Sequence, residues 1–219
     1  MALPESIGPA AGRSGRRARR QAETRARILR AALDLFARQG LFATTVAQIT
    51  EAADVGKGTF FNYFPSKEHA LFGFGEIQVS KVQAALAQIR QGAAPLREVL
   101  RGLAHALAEE PGRSPSLVRA LLAAHASSES FHRVMRCHLA RGRGLLAKIV
   151  AEGQRRGEIR LDVKPADLAR LFQQTFFGAL LLWALQPSSQ LQAWLDTTLD
   201  LFWQGVAPRP GQQITSVQE

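Results

Sequence analysis

Three observations predict an all-α fold. Apolar residues recur at spacings of three and four along most of the chain. No stretch alternates with period two over a strand's length, and clusters of Pro, Gly and Ser cut the sequence into helix-sized pieces. About nine helices are expected on this pattern, in two domains: a small unit over residues 23–70 and a larger helical one over 71–206.

Residues 1–22 carry Pro, Gly, Ala and Ser, then the basic cluster Arg13, Arg16, Arg17, Arg19 and Arg20. They offer no apolar stripe to bury, so a disordered basic arm is expected. From Thr24 to Gln39 the set Ile28, Ala31, Ala32, Leu35 and Phe36 repeats at helical spacing, and Gly40 stands where a helix stops. Leu41 and Phe42 are expected to pack across the turn. Thr45 and Gln48 form the Thr-x-x-Gln version of a capping box, which opens a helix carrying Val46, Ile49 and Ala53 on one side. A second short helix spans Gly56 to Tyr63 and must end before Pro65. The link Asp54-Val55-Gly56 supplies a residue tolerant of a left-handed turn, an apolar plug and a weak N-cap, so the pair reads as a helix-turn-helix.

Ser66 is placed to cap a helix starting at Lys67 and running through Leu71, Phe74, Ile77, Val82, Leu86 and Ile89. Gly73 and Gly75 inside it allow either a flexible joint or close packing. Further helices are expected over Pro95–Glu109, Pro115–Ser127, Ser130–Arg156, Pro165–Leu185 and Ser189–Gln204, with the three prolines in first turns, and a loose tail over 207–219. The last two helices are apolar nearly all round. Such helices must be covered on both sides, and their aromatic and aliphatic surplus fits a homodimer interface. The candidate interface residues are Leu168, Leu171, Thr175, Ala179, Leu182, Trp194, Leu195, Thr198 and Phe202.

The chain has 219 residues, 46% of them hydrophobic, enough to bury a sizeable core. Its net charge of +10 favours a polyanionic partner. A single cysteine, Cys137, excludes an internal disulfide and suits a reducing compartment. The first ten residues lack the charged start and apolar core of a signal peptide, and the longest apolar run, Phe176 to Leu185, is about half a bilayer span. A cytoplasmic protein without a membrane partner is therefore expected. No Gly-rich phosphate loop, nucleophile elbow or metal cluster is present, and His132 and His138 lack the spacing of a helical metal pair. Neither enzymatic activity, nor a cofactor, nor a metal site is expected.

The run K-G-T-F-F-N-Y-F-P-S-K-E, preceded by A-A-D-V and by a helix ending in L-F-A-R-Q-G, resembles the DNA-binding domain of the TetR family of bacterial transcriptional regulators, from about Thr24 to Phe72. The resemblance implies a recognition helix exposing Lys57, Gly58, Thr59, Phe61 and Asn62, with Phe60 and Phe64 packed inward. On that reading Lys57 can donate to guanine, Asn62 can pair with adenine, and Phe61 or Thr59 can touch a thymine methyl. Thr44, Thr45, Tyr63 and Lys67 are expected at phosphates, with the basic arm tracking the backbone or a minor groove. Three residues depart from the family pattern: Asp54 for Gly, Gly56 for Ser and Phe61 for Tyr. They suggest fewer polar backbone contacts and more reliance on the arm. The resemblance also implies a dimer and a C-terminal cavity for a small effector, here apolar or aromatic. Candidate cavity residues are His105, His125, Phe131, Met135, His138, Phe172, Gln173 and Phe176. The function implied is a repressor released from a palindromic operator by such a ligand; the other reading is an effector-independent DNA-binding dimer with an architectural role.

Overall fold

The computed structural model describes residues 11–92, 94–186 and 190–208. The expectations for residues 1–10 and for the tail 209–219 fall outside that range, as do the side chains of residues 11–14, Arg13 among them. Nine α-helices and one 3-10 turn are present among the described residues, and no strand.

Helix α1 (Ala11–Ala43) begins well before Thr24 and includes most of the segment expected to be a disordered arm. Residues 15–22 have no apolar face, but Ala, Arg and Gln are strong helix formers. Once the amphipathic part is nucleated, extending it costs little. An ion pair one turn apart, Arg19 to Glu23 at 2.8 Å, supports the extension. Gly40, at φ 82 and ψ 167, breaks the helical path before the last turn, a conformation that glycine alone adopts freely. Leu41 is buried beyond the break, whereas Phe42 points to solvent and does not pack across the turn as expected.

Helix α2 (Val46–Ala52) opens with the full capping box: the Thr45 hydroxyl accepts from the Gln48 amide, and the Gln48 side chain accepts from the Thr45 N–H. Asp54 takes the left-handed conformation, φ 49, and Gly56 caps α3 (Lys57–Tyr63) without a side-chain bond. Ser66 occupies the cap position of α4 (Lys67–Arg90), but its hydroxyl is engaged with the Glu68 carboxylate and His69 Nδ1 and not with the helix backbone. Then follow α5 (Leu96–Ala108), the 3-10 turn Pro111–Arg113, α6 (Pro115–Ser127), α7 (Glu129–Arg155), α8 (Pro165–Leu185) and α9 (Leu191–Val206). Pro115 and Pro165 sit in first turns, while Pro95 is the residue before its helix.

Two apolar clusters hold the molecule together. The first joins Ile28, Phe36, Ile49, Phe60, Phe64 and Leu71 of the N-terminal helices to Leu117, Ala120 and Ala124 of α6 and Phe131 of α7. The second gathers the C-terminal half of α4 with α5, α7, α8 and α9, around Ile89, Leu96, Ile149, Phe172 and Leu195. Helix α4 belongs to both. Its glycines serve close packing: a Cβ at Gly73 would lie 2.9 Å from Leu29 Cδ2, and one at Gly75 would lie 2.1 Å from His138 Nδ1. Helix α8 is long and apolar enough by length and composition to cross a bilayer. In this fold one side of it, including Leu168, Phe172, Phe176, Leu180 and Trp183, is part of the core.

The same close approach recurs at Gly153 of α7, where a Cβ would stand 2.1 Å from Cδ2 of the fully buried Leu96. The Gly153→Ala variant is expected to lose about 1–2 kcal/mol in urea unfolding, because overpacking costs more than the gain in helix propensity returns.

Candidate functional site

Helix α3 is seated by burial of Phe60, which meets Phe64 at 5.8 Å between ring centroids. That anchoring turns Lys57, Gly58, Phe61 and Asn62 outward, with Thr59 and Tyr63 half-buried beside them. Phe61 is an aromatic ring left 52% exposed on a short, otherwise polar face. Thr45 is exposed at the start of α2, with its hydroxyl inside the capping box.

Two side chains expected at phosphates are engaged within the protein. Thr44 is fully buried and its hydroxyl donates to the Gly40 carbonyl at 2.8 Å. Lys67 Nζ donates to the carbonyls of Leu41 and Thr44, both at 2.8 Å, and of Phe42 at 3.3 Å. Its three N–H bonds satisfy carbonyls left open where α1 ends, so the charge is a cap across the turn. Arg16, Arg17, Arg20, Gln21 and Thr24 of α1 line a groove with Tyr63, which puts the arginines beside the C-terminal end of α3 on a fixed helix.

Between α4, α6, α7 and α8 lies a cavity of about 340 Å³, partly open to solvent. Of the expected effector residues, His125, Met135, His138, Phe172, Gln173 and Phe176 line it. Two do not. His105 lies on the surface between α5 and α9, with Nε2 2.8 Å from the Asp196 carboxylate. Phe131 is fully buried in the N-terminal cluster, stacked on Phe72 at 5.5 Å. The walls also include Phe74, Gln78, Val118, Leu122, Leu139, Phe177 and Leu181, which the sequence reading missed. The signal for Gln78 was an uncharged polar residue close to the apolar stripe of a core helix. Gln173 is committed within the protein, donating to the Leu139 carbonyl and accepting from Arg143. His138 titrates below its ordinary value because burial disfavours the imidazolium; nearby Glu76 opposes this and Arg141 adds to it.

The apolar surplus of α8 and α9 divides into an inner and an outer set. Leu168, Leu195 and Phe202 are buried within the subunit, so they cannot form the face of an interface. Leu171 and Leu182 are exposed, and Thr175, Ala179, Trp194 and Thr198 are half-buried. Leu185 and Leu201, at 60% and 63% exposure, extend the same outer face and were not foreseen.

Comparison with known proteins matches both halves. The profile for bacterial regulatory proteins of the tetR family fits residues 28–72, and that for the tetracyclin repressor-like C-terminal domain fits residues 93–201. The chain belongs to the TetR family. Members of this family are DNA-binding transcriptional regulators, and the residues matched by the N-terminal profile include α2 and α3. Over 54 residues the chain is 50% identical to the regulator TcmR of Streptomyces glaucescens, a match covering 25% of this chain and 24% of that one. It is 27% identical over 177 residues to the repressor KstR of Mycobacterium tuberculosis, covering 77% of this chain and 74% of that one. Thermus thermophilus FadR, a TetR family repressor solved with lauroyl-CoA, superposes with a TM-score of 0.61 at 29% identity, over 86% of this chain and 98% of that one.

Two substitutions separate the roles of the basic residues. Lys67→Met is expected to lower the stability of the protein by about 1–3 kcal/mol in thermal unfolding, since three carbonyls lose their donor. It should leave the salt dependence of DNA binding unchanged. Changing Arg16, Arg17 and Arg20 together to Gln is expected to reduce the slope of log affinity against log salt by about 3, as measured by fluorescence anisotropy on a duplex operator.

Proposed function

We propose that this chain is a homodimeric repressor that leaves a palindromic operator when an apolar or aromatic ligand enters the cavity. One observation carries the reading: α6 has one side in the DNA-binding head and the other in the cavity wall. Leu117, Ala120 and Ala124 belong to the cluster that holds α1, α2 and α3, while Val118, Leu122 and His125 face the cavity. The head is further tied to this helix by Ser114, whose hydroxyl donates to the Ala37 carbonyl of α1 at 2.5 Å. A ligand that favours one placement of α6 therefore favours one placement of the recognition helix.

Lys57, Thr59, Phe61 and Asn62 read base edges in this proposal, with Thr45, Tyr63 and the arginines of α1 on phosphates. The exposed stripe of Leu171, Leu182, Leu185 and Leu201 meets its copy across a two-fold axis, which sets the spacing of the two heads. The repressor KstR supports repression, and FadR, solved with lauroyl-CoA, supports a ligand with an apolar part. The cavity counts against an architectural dimer with no effector. The protein works in the cytoplasm, as family members generally do.

Selection of bound sequences from random duplexes is expected to return an inverted repeat; a single asymmetric half-site would overturn the dimeric reading. The Leu182→Glu variant is expected to sediment as a monomer and to lose about 100-fold in operator affinity, roughly 2.7 kcal/mol.

A further inference from the structure

Helix α7 carries a row of cations that the rest of the chain leaves without counterions. Between Glu129 and Glu152 it holds Arg133, Arg136, Arg141, Arg143 and Lys148 and no acidic residue. Arg143 is half-buried and donates to Gln173 Oε1 at 3.3 Å. The other four are exposed, and none of them has an ion pair or a hydrogen bond among the described residues. Several exposed arginines elsewhere are matched: Arg97 and Arg101 meet Asp200, and Arg113 meets Asp34.

At 3.6 residues per turn, Arg133, Arg136, Arg141 and Lys148 fall within an arc of about 140° and span about 22 Å of the helix axis. The opposite side of α7 is fixed in the core by Phe131, Leu146, Ile149 and Val150, so the row faces solvent on a helix that cannot turn. Like charges at helical spacing repel, so the row weakens the helix that carries it and has no stabilising role within the subunit. Its positive field suits a partner with negative charges strung along a line.

Between the cations this side exposes Cys137, Ala140 and Gly144. They are too small to hold a phosphate chain away. They are also too small to enter a bilayer, where a surface helix sets bulky apolar side chains beside its cations. One strand of a duplex offers about six phosphates over a length of about 22 Å, enough to engage all four cations. The row lies outside residues 28–72, which match the N-terminal profile of this family of DNA-binding regulators.

We propose that this side of α7 is a second DNA site, independent of sequence, which holds a duplex segment by its phosphates. Phosphate contacts carry no base information, so the site adds affinity for any duplex and leaves the choice of operator to other residues. It needs neither an effector nor the cavity.

The test uses the full-length protein, a random-sequence duplex of about 20 base pairs, and vesicles of phosphatidylglycerol and phosphatidylcholine in roughly equal parts. Changing Arg133, Arg136, Arg141 and Lys148 together to Gln is expected to weaken binding of the random duplex at least tenfold at about 100 mM salt. The slope of log affinity against log salt should fall by about 3. Combined with the Gln substitutions at Arg16, Arg17 and Arg20, the two losses should add, as expected of separate contacts. A second variant, Arg141→Glu with Lys148→Glu, should show the same direction of change and stays decisive if the first fails to melt like the wild type. Unchanged affinity and slope in the variants that fold overturn the proposal. Tighter binding to the vesicles than to the duplex at equal salt also overturns it, in favour of a membrane partner. Selection from random duplexes separates this site from the operator reading: the α7 variant is expected to return the same sequences as the wild type, and a changed preference overturns a site that contacts phosphates alone.

Discussion

Helix α6 is the constraint on which the rest of the structure depends. Its apolar surface wraps far enough round that both sides are used. Leu117, Ala120 and Ala124 are buried with Phe36 and Phe60, and Val118 and His125 complete the cavity. Polar bonds pin it at two further points. Ser114 caps its first turn and also reaches the Ala37 carbonyl of α1, and Arg119 donates to the Ala184 carbonyl of α8 at 2.8 Å. One helix thus touches the N-terminal helices, the cavity wall and α8. Because protein interiors are close-packed, it cannot shift in one of these settings without the others responding.

What could be read from the sequence was what is decided locally. The capping box at Thr45 and Gln48, the left-handed Asp54, the inward Phe60 and Phe64 and the ends of most helices all depend on neighbours a few residues away. The errors share the opposite character. Lys67 looks like a free cation until α1 ends within reach of its ammonium group, a contact between residues far apart in the chain. Thr44 is a local exception: its hydroxyl is taken by the Gly40 carbonyl four residues earlier, at the break in α1. His105 and Phe131 have the right chemistry for a pocket, yet helix rotation places one against Asp196 and the other against Phe72. Periodicity locates an apolar stripe; it does not say which of several facing helices the stripe will meet. The even apolar content of α8 hid the division between Leu168, which faces in, and Leu182, which faces out.

The N-terminal segment shows how a rule about composition can mislead. A stretch with many arginines and no apolar face has nothing to bury and reads as unstructured. Attached to a stable amphipathic helix it needs only to continue an existing ladder of hydrogen bonds, at about one bond per residue fixed. The result is a rigid positive rod alongside Tyr63 in place of a tether. A rod presents its charges at set intervals. Its ordering entropy is spent on folding, so a partner need not supply it.

The contact between Gly75 and His138 is an exchange of volume, in which the side chain missing from one helix is replaced by the ring of another. Neither residue is on α3. Both residues line the cavity, so a paired change of size there reshapes its wall and leaves the exposed surface of α3 as it is.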